Sequence, residues 1–265
     1  MQIEAALFDD VNRLLLALAY ASVRIQAALL IVPLFSRQVV PGLVRNSLGV
    51  GLALPLLPGI EASLGGGLPD VVSMTVTILK EGLIGTLIGY SVAILFWAVE
   101  AVGFLIDNQR GASIASTLNP LTGNDSSPLG ILFNQAFLVY FLMSGGFLVF
   151  LTLMYESYRL WPVVAFFPQL VADGLPLFAG LFENVIRLGL LLGAPAIVAM
   201  LLVEIGLALV SRFTPQLQVF FLAMPVKSAM AFLVLAIYLP TLFGYIRVEI
   251  GKLSGLLGTL AGGLR

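Results

Sequence analysis

The sequence predicts an all-α membrane protein built of helical hairpins, with several helices broken or kinked. Three observations predict this. Of 265 residues, 60% are hydrophobic and only 10% charged, with a mean hydropathy of +1.07, whereas soluble domains are about a quarter charged. Several apolar runs approach or exceed the roughly 20 residues that a spanning helix needs. Prolines, glycines and isolated charges interrupt many of these runs. The length fits one or two compact units, and no apolar run leads into a long hydrophilic domain.

In chain order, Leu14 to Phe35 is the first candidate span, interrupted by Arg24. The opening MQIEAALFDDVNR is net acidic, unlike the basic start of a signal peptide. Apolar residues also continue past the cleavage-like Ala19-Tyr20-Ala21, so an uncleaved first helix is expected. Pro33 and Pro41 bracket a turn. Asn46 to Ile60 is apolar but short, broken by Pro55 and Pro58, and Glu61 to Asp70 reads as an exposed loop. Val71 to Ile106 is a long helix containing Lys80, Glu81 and Glu100. Leu129 to Tyr155 is the cleanest span, free of charge. The Pro-studded RLWPVVAFFPQLVADGLP, Arg159 to Pro176, reads as a loop or broken helix. Leu188 to Arg212 is helical around Pro195, and Ser228 to Ile246 is the last apolar run. The tail, 247–265, is amphipathic and Gly-rich and is expected on a surface. Lys and Arg are scattered too evenly to set a topology.

Composition excludes several function classes. There is no cysteine and no histidine, which removes disulfides, thiolate nucleophiles, imidazole metal ligands and a Ser-His-Asp triad. No G-x-x-x-x-G-K-[ST] phosphate loop is present. The net charge is −1 with no basic block, which argues against a nucleic-acid partner. No cofactor or metal is expected, although a site made only of carboxylates stays open in principle.

A charge at a bilayer centre costs roughly 2.5–3.5 kcal/mol on insertion scales. Arg24, Glu100, Glu204 and Lys227 incur such a cost unless protein surrounds them. Lys80 and Arg187 suit snorkelling positions near helix ends. Gly82, Gly85, Gly89, Ala93, Phe96, Glu100, Gly103 and Asp107 follow spacings of three and four, so they share one helical face. Gly85-x-x-x-Gly89 is a small-residue spacing that lets helices approach closely. That face is expected to meet protein and not lipid. A second stripe joins Gly189, Gly193, Ala196, Met200, Glu204 and Ala208. VEAVG (99–103) and VEIG (203–206) are either a weak internal repeat of a hairpin or chance similarity in apolar sequence.

Between two apolar runs lies DNQRGASIASTLNPLTGNDSSPLG, Asp107 to Gly130. Asp107 and Arg110 are spaced to pair. The residues after them have no helical period and carry turn signals at Asn119-Pro120, TGND and SSP. Irregular backbone at membrane depth is tolerated only inside protein or lining a wet cavity. The segment is therefore a loop outside the membrane, which periodicity alone favours, or a deformable constriction, for which its small hydroxylated residues are suited.

FWAVEAVGFLIDNQRGASIASTLNP (96–120), SSPLG (126–130), SGG (144–146), SYRLWPV (157–163) and AMLLVEIGLALVSRFTPQLQVFFLAMPVKSA (199–229) together resemble the T component of the type III secretion export apparatus, the SctT/YscT/HrcT proteins. The flagellar FliR proteins are more distant relatives. The resemblance covers essentially the whole chain, and the DNQRG and MPVKS wording favours the injectisome branch. It implies a single domain over 1–265, in which helices pack side by side in a helical, cone-like hetero-oligomer. One T subunit joins several R and S membrane proteins there, beside a U-type switch protein and a V-type export protein. The assembly is the gate for unfolded secreted polypeptides at the bacterial inner membrane, raised in part toward the periplasm. The resemblance further implies a plug loop over 111–127, comprising Gly111, Ala112, Ser113, Ser116, Thr117, Asn119, Pro120, Gly123, Asn124, Ser126 and Ser127.

No residue makes a good catalytic candidate. Glu100, Asp107, Arg110, Glu204, Arg212 and Lys227 read as buried ion pairs or subunit contacts that help fix register. Proton relay by Glu100 or Glu204 is a second reading, since carboxylates in pumps act so. Phe220, Phe221 and Met224 lie in VFFLAM, and such adaptable side chains suit a gasket around a passing chain; helix core is the plainer reading. The main competing function is a small-molecule secondary transporter with broken helices. A membrane enzyme with an all-carboxylate site is the third reading.

Overall fold

The structure is a computed structural model describing residues 2–64, 69–112, 127–165, 174–214 and 219–262. Helices are its only regular structure among the described residues. They are α1 (Gln2–Ile31), α2 (Gly42–Ala53), α3 (Leu57–Ser63), α4 (Val71–Arg110), α5 (Pro128–Met143), α6 (Gly146–Leu160), α7 (Gly174–Phe213) and α8 (Val219–Gly262). Short 3-10 turns cover Pro33–Phe35 and Leu54–Leu56. Pro55 and Pro58 sit in the first turns of their elements, where a missing N–H removes no helical bond.

Five segments of the described chain are long and apolar enough to cross a membrane, or six if the bent pair α5–α6 counts as one span. Three expectations change. The clean run Leu129 to Tyr155 is two helices, broken at Ser144-Gly145. Gly145 has φ 80°, in the left-handed region, and a Cβ at Gly146 would overlap the Phe141 ring; both favour glycine. Next, α7 begins at Gly174, well before Leu188, with Pro176 in its first turn. Finally, α8 runs unbroken through Pro225 and Pro240 to Gly262, so the described part of the tail continues that helix. Apolar helices accept internal prolines when neighbouring groups re-satisfy the backbone.

The chain forms two compact units. The first comprises residues 1–93, 147–178 and 252–265. Its centre is α1 against the first part of α4: Ala17, Ala21, Ile25, Ala28 and Leu29 are buried, as are Ile84 and Val92. The glycine face makes this crossing close. A Cβ at Gly85 would overlap the Arg24 carbonyl, and one at Gly89 would lie 2.7 Å from the Ala28 carbonyl oxygen. Such close backbone packing is a main source of helix association in a bilayer, where apolar burial gives little.

The second unit comprises residues 94–146 and 179–251. Phe96 meets Phe137 and Phe141 at ring-centroid distances of 4.5 and 5.2 Å. A Cβ at Gly103 would lie 2.5 Å from the Gly130 nitrogen, so the start of α5 rests directly on α4. Gly189 and Gly193 of the second stripe pack over Ala101 and Val102. That stripe is buried through Met200 and exposed from Glu204 onward. Outside these contacts α7 and α8 expose large apolar side chains, among them Leu202, Phe213, Leu233 and Ile237.

Candidate functional site

In the first unit the apolar helices enclose a charged centre. Arg24 of α1 and Glu81 of α4 are both fully buried, Nε donating to Oε2 at 2.6 Å. Arg24 Nη1 donates to the Ser157 hydroxyl at 3.1 Å and Nη2 to the Trp161 carbonyl at 2.8 Å. The guanidinium also lies 4.0 Å above the Tyr158 ring centroid, a cation–π contact that strengthens away from water. All three guanidinium nitrogens thus donate to a protein acceptor, and the planar face meets an aromatic ring.

Lys80 corrects its expected role as a snorkelling residue. Its side chain is 9% exposed. Nζ donates to the carbonyls of Val163 at 2.5 Å and Ala165 at 2.7 Å, with Pro162 farther at 3.4 Å. It also lies 3.2 Å from Glu81 Oε1. That oxygen has no hydrogen-bond partner, so its compensation is by charge alone. The two cations hold carbonyls of the turn after α6, which has no helical partners for them.

In the second unit Asp107 is 2% exposed. Oδ1 accepts from Arg110 Nε at 2.7 Å, and Oδ2 from the Ser127 hydroxyl at 2.6 Å and the Leu129 N–H at 2.9 Å. Ser127 caps α5 by accepting from the Gly130 N–H at 2.9 Å. Glu100 Oε2 accepts from Asn134 Nδ2 at 2.6 Å. Lys227 Nζ pairs with Glu204 at 2.6 Å and reaches the Gln109 carbonyl at 3.4 Å. Around this last group lies a cavity of about 440 Å³, lined by Gln109, Arg110, Glu204, Ser211, Met224 and Lys227 among others.

The fate of each expected residue can be read from this geometry. Asp107, Arg110 and Ser127 come together, as do Glu204 and Lys227. Glu100 joins a different partner, Asn134. Glu204 keeps half of its side chain exposed, and Arg212 is exposed near the end of α7, so burial of these two is not achieved within the chain. Gly111, with φ 83°, and Ala112 form the turn after α4. Ser113, Ser116, Thr117, Asn119, Pro120, Gly123, Asn124 and Ser126 lie outside the described residues, as do the side chains of Phe220 and Phe221. Met224 lines the cavity. The partnership of Arg24 with Glu81 went unnoticed in sequence because no local spacing links them. Ser127 before Pro128 is a capping signature that could have been read.

Long apolar helices whose buried charges are held by protein partners define a multi-pass membrane protein. The chain belongs to the family described as bacterial export proteins, family 1, which it matches over residues 15–253. It is 41% identical to Yop proteins translocation protein T of Yersinia pestis over 235 residues, 87% of this chain and 88% of that one. It is 34% identical to secretion system apparatus protein SsaT of Salmonella typhimurium over 248 residues, 92% and 95% of the two chains. Flagellar biosynthetic protein FliR of Bacillus subtilis is 27% identical over 226 residues, 85% and 86%.

Proposed function

We propose that this chain is a non-enzymatic core subunit of a type III secretion export gate in the bacterial inner membrane. It helps form and close the channel for unfolded polypeptides. The carrying observation is identity over nearly the whole chain with the translocation protein T and SsaT. Those relatives are secretion-apparatus proteins by name, which favours the gate over a small-molecule transporter. The partners are R and S membrane proteins, with U-type and V-type export proteins beside them. Exposed apolar faces on α7 and α8 and the exposed Glu204 and Arg212 support a chain that packs against further subunits. The segment 111–127 is the plug, and Phe220, Phe221 and Met224 contribute a gasket.

Two experiments test this. Mild-detergent recovery of the tagged chain from native cells, followed by mass spectrometry of the intact complex, should find one copy with several copies of two other small membrane proteins. A functional monomer or homo-oligomer would overturn the reading. Deletion of 112–126 should raise leakage of ions across the inner membrane, and unchanged leakage in an assembled complex would remove the plug role.

A further inference from the structure

We propose that the turn joining α1 to α2 binds the phosphate of an anionic lipid headgroup, held by Arg45 and the free N–H groups that open α2. This goes beyond the export-gate reading and does not depend on it. Arg45 is 9% exposed, yet among the described residues its guanidinium has no carboxylate partner. Its one hydrogen bond there, from Nη1 to the Phe35 carbonyl, is 3.5 Å long, at the edge of bonding distance. By contrast, Arg24, Lys80, Arg110 and Lys227 each have a carboxylate within 3.2 Å. A buried cation without a counter-charge is costly, so Arg45 calls for an anion.

The start of α2 supplies further donors. Pro41 makes no side-chain capping bond, and the first turn carries no acidic residue. The N–H groups of Gly42, Leu43 and Val44 have no acceptor among the described residues. Free N–H groups and the positive end of the helix dipole favour an anion. A helical side chain slopes toward the N-terminus of its helix, so Arg45 leans over this same turn and Nη1 reaches back to Phe35. The place is open, since a Cβ at Gly42 would meet nothing within 4 Å. A lipid fits better than a free phosphate. The turn joins two segments long and apolar enough to span, Val11–Ile31 and Gly42–Ser63, which puts it at headgroup depth. Val39, Leu43 and Val44 are exposed beside the donors, as an anion with attached acyl chains requires. Arg37, exposed in the same turn, adds positive charge that attracts anionic lipid.

The test uses the purified full chain and its intact complex in mild detergent. The probes are phosphatidylglycerol, phosphatidylcholine and inorganic phosphate. Bound lipid is read by native mass spectrometry, and stability by the thermal unfolding midpoint. Phosphatidylglycerol should bind and raise the midpoint, and the other two probes should do so only weakly. Arg45→Gln should weaken that binding about tenfold, the loss of one charge-assisted contact. Pro41→Asp supplies a carboxylate at the cap of α2, beside Arg45. Without lipid it should unfold no lower than the parent, and it should also lose phosphatidylglycerol, a combination that damage to the fold would not produce. If Arg45→Gln does not fold, Pro41→Asp decides alone. Equal protection by inorganic phosphate would show a site for a free anion and end the lipid assignment. Equal binding of the two lipids, or parent-like binding by either folded variant, overturns the proposal. So does an intact complex whose retained phosphatidylglycerol is unchanged by Arg45→Gln, because a carboxylate of another subunit then covers Arg45.

Discussion

Arg24 and Glu81 stand 57 residues apart in sequence and meet at 2.6 Å, both side chains fully out of solvent. Their pairing ties α1 to α4 at the place where Gly85 lets the two backbones touch. Close approach and buried charge are thus parts of one contact. The glycine brings the helices near enough for a salt bridge, and the salt bridge fixes their register.

Glu81→Gln should be severely destabilising. It leaves Arg24 and Lys80 buried around a neutral group, and breaking a buried pair costs about 3–5 kcal/mol. The expected outcome is a much lower yield and a lower unfolding midpoint in detergent. Replacing Arg24 and Glu81 together by leucine should cost less than the sum of the single changes. A double variant as damaged as that sum would disprove the coupling.

Gly85→Ala and Gly206→Ala should act in opposite directions on the isolated chain. The first forces a methyl into the Arg24 carbonyl, an overpacking that costs about 1–3 kcal/mol. The second meets open space and gains helix propensity, about 0.8–1 kcal/mol. Thermal unfolding of the two purified variants checks this, and the reverse order would contradict the packing described for α1 and α4.

Asn134→Leu should loosen α5 from α4. It removes the only hydrogen bond described for Glu100 and leaves a carboxylate without its donor, at about 1–3 kcal/mol. Hydrogen exchange at the start of α5 should quicken. Glu100→Gln keeps an acceptor for Asn134 and should be milder. Equal damage from the two would contradict this, showing that the charge of Glu100 matters as much as its bond to Asn134.

Glu204→Ala should separate folding from assembly. Its carboxylate is half exposed in the isolated chain, and the more buried Lys227, 11% exposed, also reaches the Gln109 carbonyl at 3.4 Å, so the loss within the chain should stay near the roughly 1 kcal/mol of a partly exposed pair. The purified chain should therefore unfold at nearly the parent midpoint. Recovery of the hetero-oligomer should fall several-fold, since partner helices would enclose position 204. Unchanged recovery would remove Glu204 from the subunit contacts.

Much of this was legible in the residues alone, and the rest was hidden for identifiable reasons. The long helix through Glu100 and its glycine face follow from a period of three and four, which is local. The break at Ser144-Gly145 was missed because apolar content carried more weight than the pair of glycines after Ser144. The expected run Ser228 to Ile246 already includes Pro240; the extension of α8 back through Pro225 to Val219 differs because proline is a breaker in water, whereas a long apolar helix tolerates it.

The order of residues alone establishes the class: a helical membrane chain, without thiol or imidazole chemistry, whose charges had to find partners. Composition and period suffice for that, because a bilayer penalises every unsatisfied polar group. Which partners they found depends on the folded chain. Arg24 with Glu81, Lys80 with the carbonyls after α6, Asp107 with Ser127 and Glu100 with Asn134 join residues far apart in the chain. A salt bridge or hydrogen bond depends on distances of a few ångströms, and those are set by where helices cross. No spacing along a single helix records that.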